Sequence, residues 1–316
     1  MSSLAGTVVV IFGLVALGYG AGLTGYLKAQ AGAALSQFAV GVALPLLLFR
    51  TMVDADFHGA APWALWASYF TAVAVAWSCG HLVTTRVLGR EPQTGVVGGV
   101  ASAFSNLVLL GLPFMLGVFG KQGFEILSLV VSVHLPIMLA SSIIMFEVFR
   151  KGGDASPRLW LAVSTFLRQL FTNPLIIGIL AGLLWRVTGV PLPQLLQRLV
   201  DALADVAGPV ALFAIGLELV GFGLSGNLRS ALTLSAIKLL LMPAVALVAA
   251  WLFGLPPLSA KVVVAAAAMP SGVNSYLIAT QFGTGQALAS TQLTIATVCA
   301  VVTTAFWLTV AQSVFG

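Results

Sequence analysis

Two segments set polar residues where the surrounding chain is apolar. The first reads Ser105-Asn106-Leu107-Val108-Leu109-Leu110-Gly111-Leu112-Pro113, and the second reads Met269-Pro270-Ser271-Gly272-Val273-Asn274-Ser275-Tyr276. An asparagine carboxamide donates two hydrogen bonds and carries no charge. Two such amides, joined by N–H groups at the starts of interrupted helices, can hold a carboxylate without a fixed cation. Each hydrogen bond to a charged group contributes about 1.5–3 kcal/mol, enough to bind and still release. The candidate binding residues are therefore Asn106 and Asn274, with Ser105, Ser271 and Gly272 lending hydroxyl or backbone contacts. Pro113 and Pro270 remove backbone donors and crowd the preceding turn, and glycine loosens it further. Irregular backbone survives in lipid only inside protein or beside a water-filled cavity. The alternative for either segment alone is a proline kink with small residues for close packing. A matched pair of Gly/Pro interruptions points instead to a transporter's binding site.

Ionisable residues inside apolar runs are the second set. A charge within the bilayer costs about 2.5–3.5 kcal/mol or more, so each is a functional candidate. Lys238, His134, Asp205 and Glu218 are the candidates for ion or proton coupling. Lys238 can instead snorkel to the interface. Asp205 can be an interfacial carboxylate, and His134 a satisfied core histidine. Arg50, Asp54, Asp56 and His58 read as a solvated loop, and Glu147 with Arg150 as a helix-end pair.

The elements that position these residues follow from composition. Only 7% of the 316 residues are charged and 59% are hydrophobic. Soluble domains carry about 25% charge, so lipid must be the solvent. About 20 apolar residues cross a ~30 Å hydrocarbon core. Charges and Gly/Pro clusters predict about ten helices, near residues 3–22, 33–51, 62–87, 94–119, 123–149, 173–187, 203–224, 228–253, 258–282 and 286–314. The N-terminal stretch lacks the basic region of a signal peptide and reads as a retained first helix. Cys79 and Cys299 lie in apolar runs and read as small buried thiols. No Cys/His spacing suggests a metal, and no cofactor motif is present. The net charge of +5 is spread singly between apolar runs, which argues against nucleic acid and for loop charge that sets topology.

The polar stretch 151–170 divides the chain into two halves, 1–150 and 171–316, with an amphipathic segment around Arg168 at the division. Val210-Ala211-Leu212 repeats Val42-Ala43-Leu44 at an offset of 168 residues, and the same offset carries Asn106 onto Asn274. Five helices per half would invert the second half relative to the first. With the N-terminus outside, eight Lys/Arg fall on cytoplasmic loops and five on outer ones, so both termini are expected in the periplasm.

Val42-Ala43-Leu44-Pro45, Ser105-Asn106 with Gly111-Leu112-Pro113, and Met269-Pro270-Ser271-Gly272-Val273-Asn274 give the chain its resemblance to the auxin efflux carrier family. It most resembles the bacterial members described as malonate or malate permeases. The resemblance implies the all-α fold of bile-acid sodium symporters and sodium/proton antiporters. In that fold two inverted five-helix repeats place broken helices 4 and 9 across each other. Helices 1, 2, 6 and 7 form a scaffold, and helices 3–5 and 8–10 form a transport domain that moves as an elevator. It also implies that Asn106 and Asn274 contact a substrate carboxylate, and it adds Pro45 to the residues around the site. Carriers of this resemblance are often dimers, so a homodimer is among the expected partners. Plant members carry a long loop between halves and an acidic residue in helix 3. This chain has a short loop and no Asp or Glu between Pro62 and Thr85, so auxin is not implied.

The expectation is a multi-pass inner-membrane permease for a small organic anion, a mono- or dicarboxylate, driven by a proton, by sodium or by neither. A cation/proton antiporter or sodium-coupled symporter of the same fold is the rival. An antiporter would need carboxylates at the crossing, where this chain has asparagines. A membrane enzyme or a sensor is the rival from another class, and no HExxH, GxGD or GxSxG run supports an enzyme.

Overall fold

The computed structural model describes residues 3–55, 62–149, 159–224 and 227–316. Asp56, His58, Arg150 and residues 151–158 of the central polar stretch lie outside them, so the readings that fall there have no structural account. The described residues form fifteen α-helical segments: α1 (Ser3–Leu23), α2 (Ala29–Phe38), α3 (Leu44–Val53), α4 (Pro62–Leu82), α5 (Pro92–Ala103), α6 (Leu112–Val148), α7 (Leu159–Thr172), α8 (Pro174–Thr188), α9 (Gln194–Asp205), α10 (Ala207–Phe222), α11 (Leu228–Ala236), α12 (Met242–Leu252), α13 (Pro257–Ala268), α14 (Asn274–Gln281) and α15 (Gln286–Phe315). Among the described residues, six continuous helical stretches are long and apolar enough to cross a membrane, and α8 and α13 are shorter apolar helices. The chain is an all-helical, polytopic membrane protein.

The longest stretch, Leu107–Val148, holds 42 residues. At 1.5 Å per residue it would run about 60 Å, twice the hydrocarbon thickness. Gly120 breaks it with φ 64° and ψ −159°, which only glycine adopts readily. The break divides the stretch where the sequence predicts the turn between two spans.

Four π-helical turns interrupt the ladder, at Ala39–Ala43, Val83–Val87, Leu107–Gly111 and Ile237–Leu241. Three of them end two residues before a proline: Pro45, Pro113 and Pro243. Proline offers no N–H to the carbonyl four residues back and its ring crowds that carbonyl, so the helix widens there. The freed carbonyl must find another donor in lipid. For Pro243 that carbonyl belongs to Leu239, and the indole Nε1–H of Trp307 donates to it at 2.8 Å. Trp307→Phe keeps the ring packed against Val264 and Ala268 but strands this carbonyl. We expect it to destabilise the folded protein by about 1–3 kcal/mol, read as a lower Tm in detergent. An unchanged Tm would mean that another donor replaces the indole.

The chain divides into two compact units. Unit 1 holds residues 1–59, 107–132 and 168–221. Within it α8 packs on α3 through Gly178 and Gly182, where an added Cβ would lie 2.4 Å from the Pro45 carbonyl oxygen and 2.6 Å from that of Phe49. Two glycines four residues apart allow this backbone approach. Unit 2 holds residues 60–106, 133–167 and 222–316. There α5 lays Gly95, Gly98 and Gly99 against Thr85, Thr84 and Trp77 on the α4 side.

Two local readings change. Residues 194–205 form helix α9, although Gln194, Gln197, Arg198 and Asp201 interrupt the apolar run and suggested a connection. The helix is amphipathic, with Val200 and Ala204 buried and Leu195 and Leu199 exposed. Arg50 does not sit in a solvated loop. It lies on α3 and donates to Asp201 at 3.0 Å and to Asp205 at 2.8 Å.

Candidate functional site

The two polar segments interrupt their helices where the sequence predicts. Helix α5 ends at Ala103, Phe104 turns into extended backbone with ψ 94°, and helical structure resumes at Leu107. Helix α13 ends at Ala268, Met269 extends with ψ 143°, and α14 starts at Asn274. The breaks meet inside unit 2 as an antiparallel bridge between Ser105 and Ser271. The Asn106 amide donates to the Pro270 carbonyl at 2.8 Å, and the Gly272 amide donates to the Phe104 carbonyl at 2.9 Å. Each break thereby satisfies one backbone donor and one acceptor of the other, which lipid could not do. Gly272 sits close to the Asn106 backbone, with room for a Cβ at 3.5 Å.

Both broken helices leave carbonyls at their C-terminal ends. For α5, the Ser271 hydroxyl donates to the Ala101 carbonyl at 2.6 Å. For α13, Lys238 Nζ donates to the Ala267 carbonyl at 2.7 Å, and the Thr304 hydroxyl reaches the Ala268 carbonyl at 3.4 Å. Lys238 is fully buried, and among the described residues no carboxylate pairs with it. A cation at a helix C-terminus complements the negative end of the helix dipole.

The two asparagines are left available. Asn106 is 9% exposed and Asn274 is half-buried. Among the described residues neither carboxamide has a hydrogen-bond partner. In unit 2 the bridge has further polar neighbours. The Gln292 amide donates to Ser271 Oγ at 2.9 Å, while Gln292 Oε1 has no partner. Ser105 Oγ approaches Met242 Sδ at 4.0 Å. His134 packs edge-on against Phe104 and Tyr69, at ring separations of 4.8 and 5.5 Å. The Tyr69 hydroxyl faces Ser105, yet among the described residues neither it nor either His134 nitrogen makes a hydrogen bond of normal geometry.

Residues 3–308 match the family described as membrane transport protein. The chain belongs to this family of transporters, which includes the auxin efflux carriers. A protein of Rhizobium meliloti, provisionally named a malonate transporter, is 28% identical over 96% of this chain and 94% of its own length. An uncharacterised transporter of Methanothermobacter thermautotrophicus is 24% identical over 95% of this chain and 96% of its own. Auxin efflux carrier component 7 of Arabidopsis thaliana is 29% identical over 39% of this chain and 21% of its own length. The likeness to the microbial transporters runs end to end, and the likeness to the plant carrier is partial.

Within this transporter, unit 2 holds Ser105, Asn106, Pro270, Ser271, Gly272 and Asn274, together with Lys238 and His134. Pro45, Pro113, Asp205 and Glu218 belong to unit 1. There Pro45 lies against Gly178, Pro113 lies near Gly208 and Glu218 packs on Gly32. Asp205 is engaged by Arg50. Sequence reasoning passed over Gln292 and Tyr69. Gln292 offered a signal, as the one glutamine of the uncharged helix α15 that lies away from both its ends. Tyr69 offered none, since an aromatic in an apolar helix reads as core.

Proposed function

We propose that this transporter is a permease for a small organic anion, a mono- or dicarboxylate, with Asn106 and Asn274 binding the carboxylate. One observation carries the reading: two helix breaks pair as an antiparallel bridge and leave both carboxamides without side-chain partners. Asn106 is 9% exposed, and an amide so shielded and without a protein partner is destabilising unless a ligand or water supplies one. Lys238 stands fully buried in the same unit and adds positive potential. Carboxylates are missing from both breaks, which disfavours the cation/proton antiporter. The end-to-end likeness to a provisionally named malonate transporter supports a short dicarboxylate as the first substrate to try.

The finer architecture belongs to this proposal. Residues 1–150 and 171–316 are inverted five-helix repeats joined by the linker 151–170, and ten helices cross the inner membrane with both termini in the periplasm. Transport proceeds by an elevator-type alternation in which unit 2 is the moving domain. His134 and Lys238 are its coupling candidates if a proton or another ion drives it. Unit 1 also contains 107–132, so the boundary between the domains falls within helices 4 and 5.

Purified protein in proteoliposomes, offered labelled malonate, malate and an aromatic acid, tests the reading. We expect saturable uptake of at least one short dicarboxylate and little uptake of the aromatic acid. No anion uptake above protein-free vesicles, with cation-driven pH changes in inverted vesicles, would replace the permease with the antiporter.

A further inference from the structure

We propose that unit 2 carries a second oxyanion site, distinct from the paired breaks, which takes a phosphate or carboxylate group where helices α5, α11 and α15 begin. A cavity of about 260 Å³ lies there. Arg90, Thr94, Asn227, Ser230 and the first turn of α15 from Gly285 to Leu288 line it. All of these residues belong to unit 2.

The chemistry of the lining is one-sided. Three helices start at the cavity, and each directs the positive end of its dipole there. The 30-residue helix α15 has Gly285 as its N-cap, at φ 69°, with no side chain to satisfy the first-turn amides. Serine, threonine, aspartate or asparagine would ordinarily do so. Unmet N–H groups at a helix start form a ready anion site. On α11 the Asn227 side chain caps through Oδ1, accepting from the Ser230 amide at 3.1 Å, so its NH₂ remains free to donate. Ser230 is 4% exposed, and its hydroxyl has no partner among the described residues. The Thr94 and Thr284 hydroxyls pair at 2.9 Å, one donating to the other. Arg90 makes no ion pair among the described residues, and no described carboxylate lines the cavity. A solvated loop cluster would account for an exposed arginine. It would not account for a buried serine hydroxyl and an uncapped helix start facing the same space.

The Lys/Arg count assigns this end to the cytoplasm, where soluble phosphates and carboxylates meet anionic lipid headgroups. The inference does not depend on what the breaks bind. Full-length protein in neutral phosphatidylcholine nanodiscs, titrated calorimetrically with inorganic phosphate and with malonate at constant ionic strength, tests it. We expect saturable phosphate binding that Arg90→Gln weakens about tenfold or more, that Ser230→Ala weakens less, and that Asn106→Ala leaves unchanged. Phosphatidylglycerol in the nanodisc separates the sources. Competition with phosphate in the wild type but not in Arg90→Gln assigns the site to a lipid headgroup, and no competition assigns it to a soluble anion. Absence of saturable phosphate binding would overturn the inference. So would affinity unchanged by both Arg90→Gln and Ser230→Ala. Malonate binding lost in Asn106→Ala while phosphate binds nowhere would leave the breaks as the single anion site.

Discussion

Replacing Asn106 or Asn274 with alanine is expected to raise the KM for the transported carboxylate about tenfold to a hundredfold. Each variant removes a hydrogen bond to a charged group, worth about 1.5–3 kcal/mol. The alanine variants should keep their fold. Asn106 joins the bridge through its backbone amide, which alanine retains, and neither carboxamide supports another described side chain. Size-exclusion profile and Tm should therefore match the wild type while uptake falls. Asn106→Asp gives the opposite sign of electrostatics at nearly constant volume. A carboxylate facing the substrate carboxylate should abolish uptake, although the shape of the site is kept. Normal transport of every accepted anion by both alanine variants would remove these residues from the site. A loss of folding in both would assign them a structural role.

The pairing of the breaks was legible because membrane chains leave few places for Asn, Ser, Gly and Pro together. The offset of 168 residues placed Asn106 and Asn274 in matching positions, and the two segments do meet. The bond pattern was not legible. Composition cannot say that the Gly272 amide finds the Phe104 carbonyl, or that Ser271 turns toward Ala101. Those bonds depend on the register between segments about 168 residues apart. The π turns were hidden for a related reason. A proline signals an interruption, but whether the helix kinks or widens depends on donors supplied from elsewhere, such as Trp307 for Leu239. Arg50 was misread because its partners, Asp201 and Asp205, lie on a helix whose polar residues masked its periodicity. Pro113 drew notice for the same chemistry as Pro270 and Pro45 through the family resemblance, and both belong to unit 1.

Lys238 was singled out as a buried charge for coupling, and its hydrogen bond to the Ala267 carbonyl offers a structural role to test against that one. Its Nζ closes the end of α13 on the Ala267 carbonyl, two residues before the break that presents Asn274. Removing that donor leaves a buried carbonyl unmet at the point where the break begins. Lys238→Met keeps length and apolar bulk but cannot donate. We expect it to lower stability by about 1.5–3 kcal/mol and to reduce transport severalfold by loosening the bridge. Lys238→Gln keeps an N–H donor on a shorter, uncharged chain and should recover part of both losses. A coupling role predicts a different pattern. Glutamine and methionine would then be equally inactive, Tm would change little in either, and the pH dependence of uptake would flatten in both. Measuring Tm and the pH profile of uptake for the two variants separates a lysine that holds the broken helix from one that carries charge across the membrane.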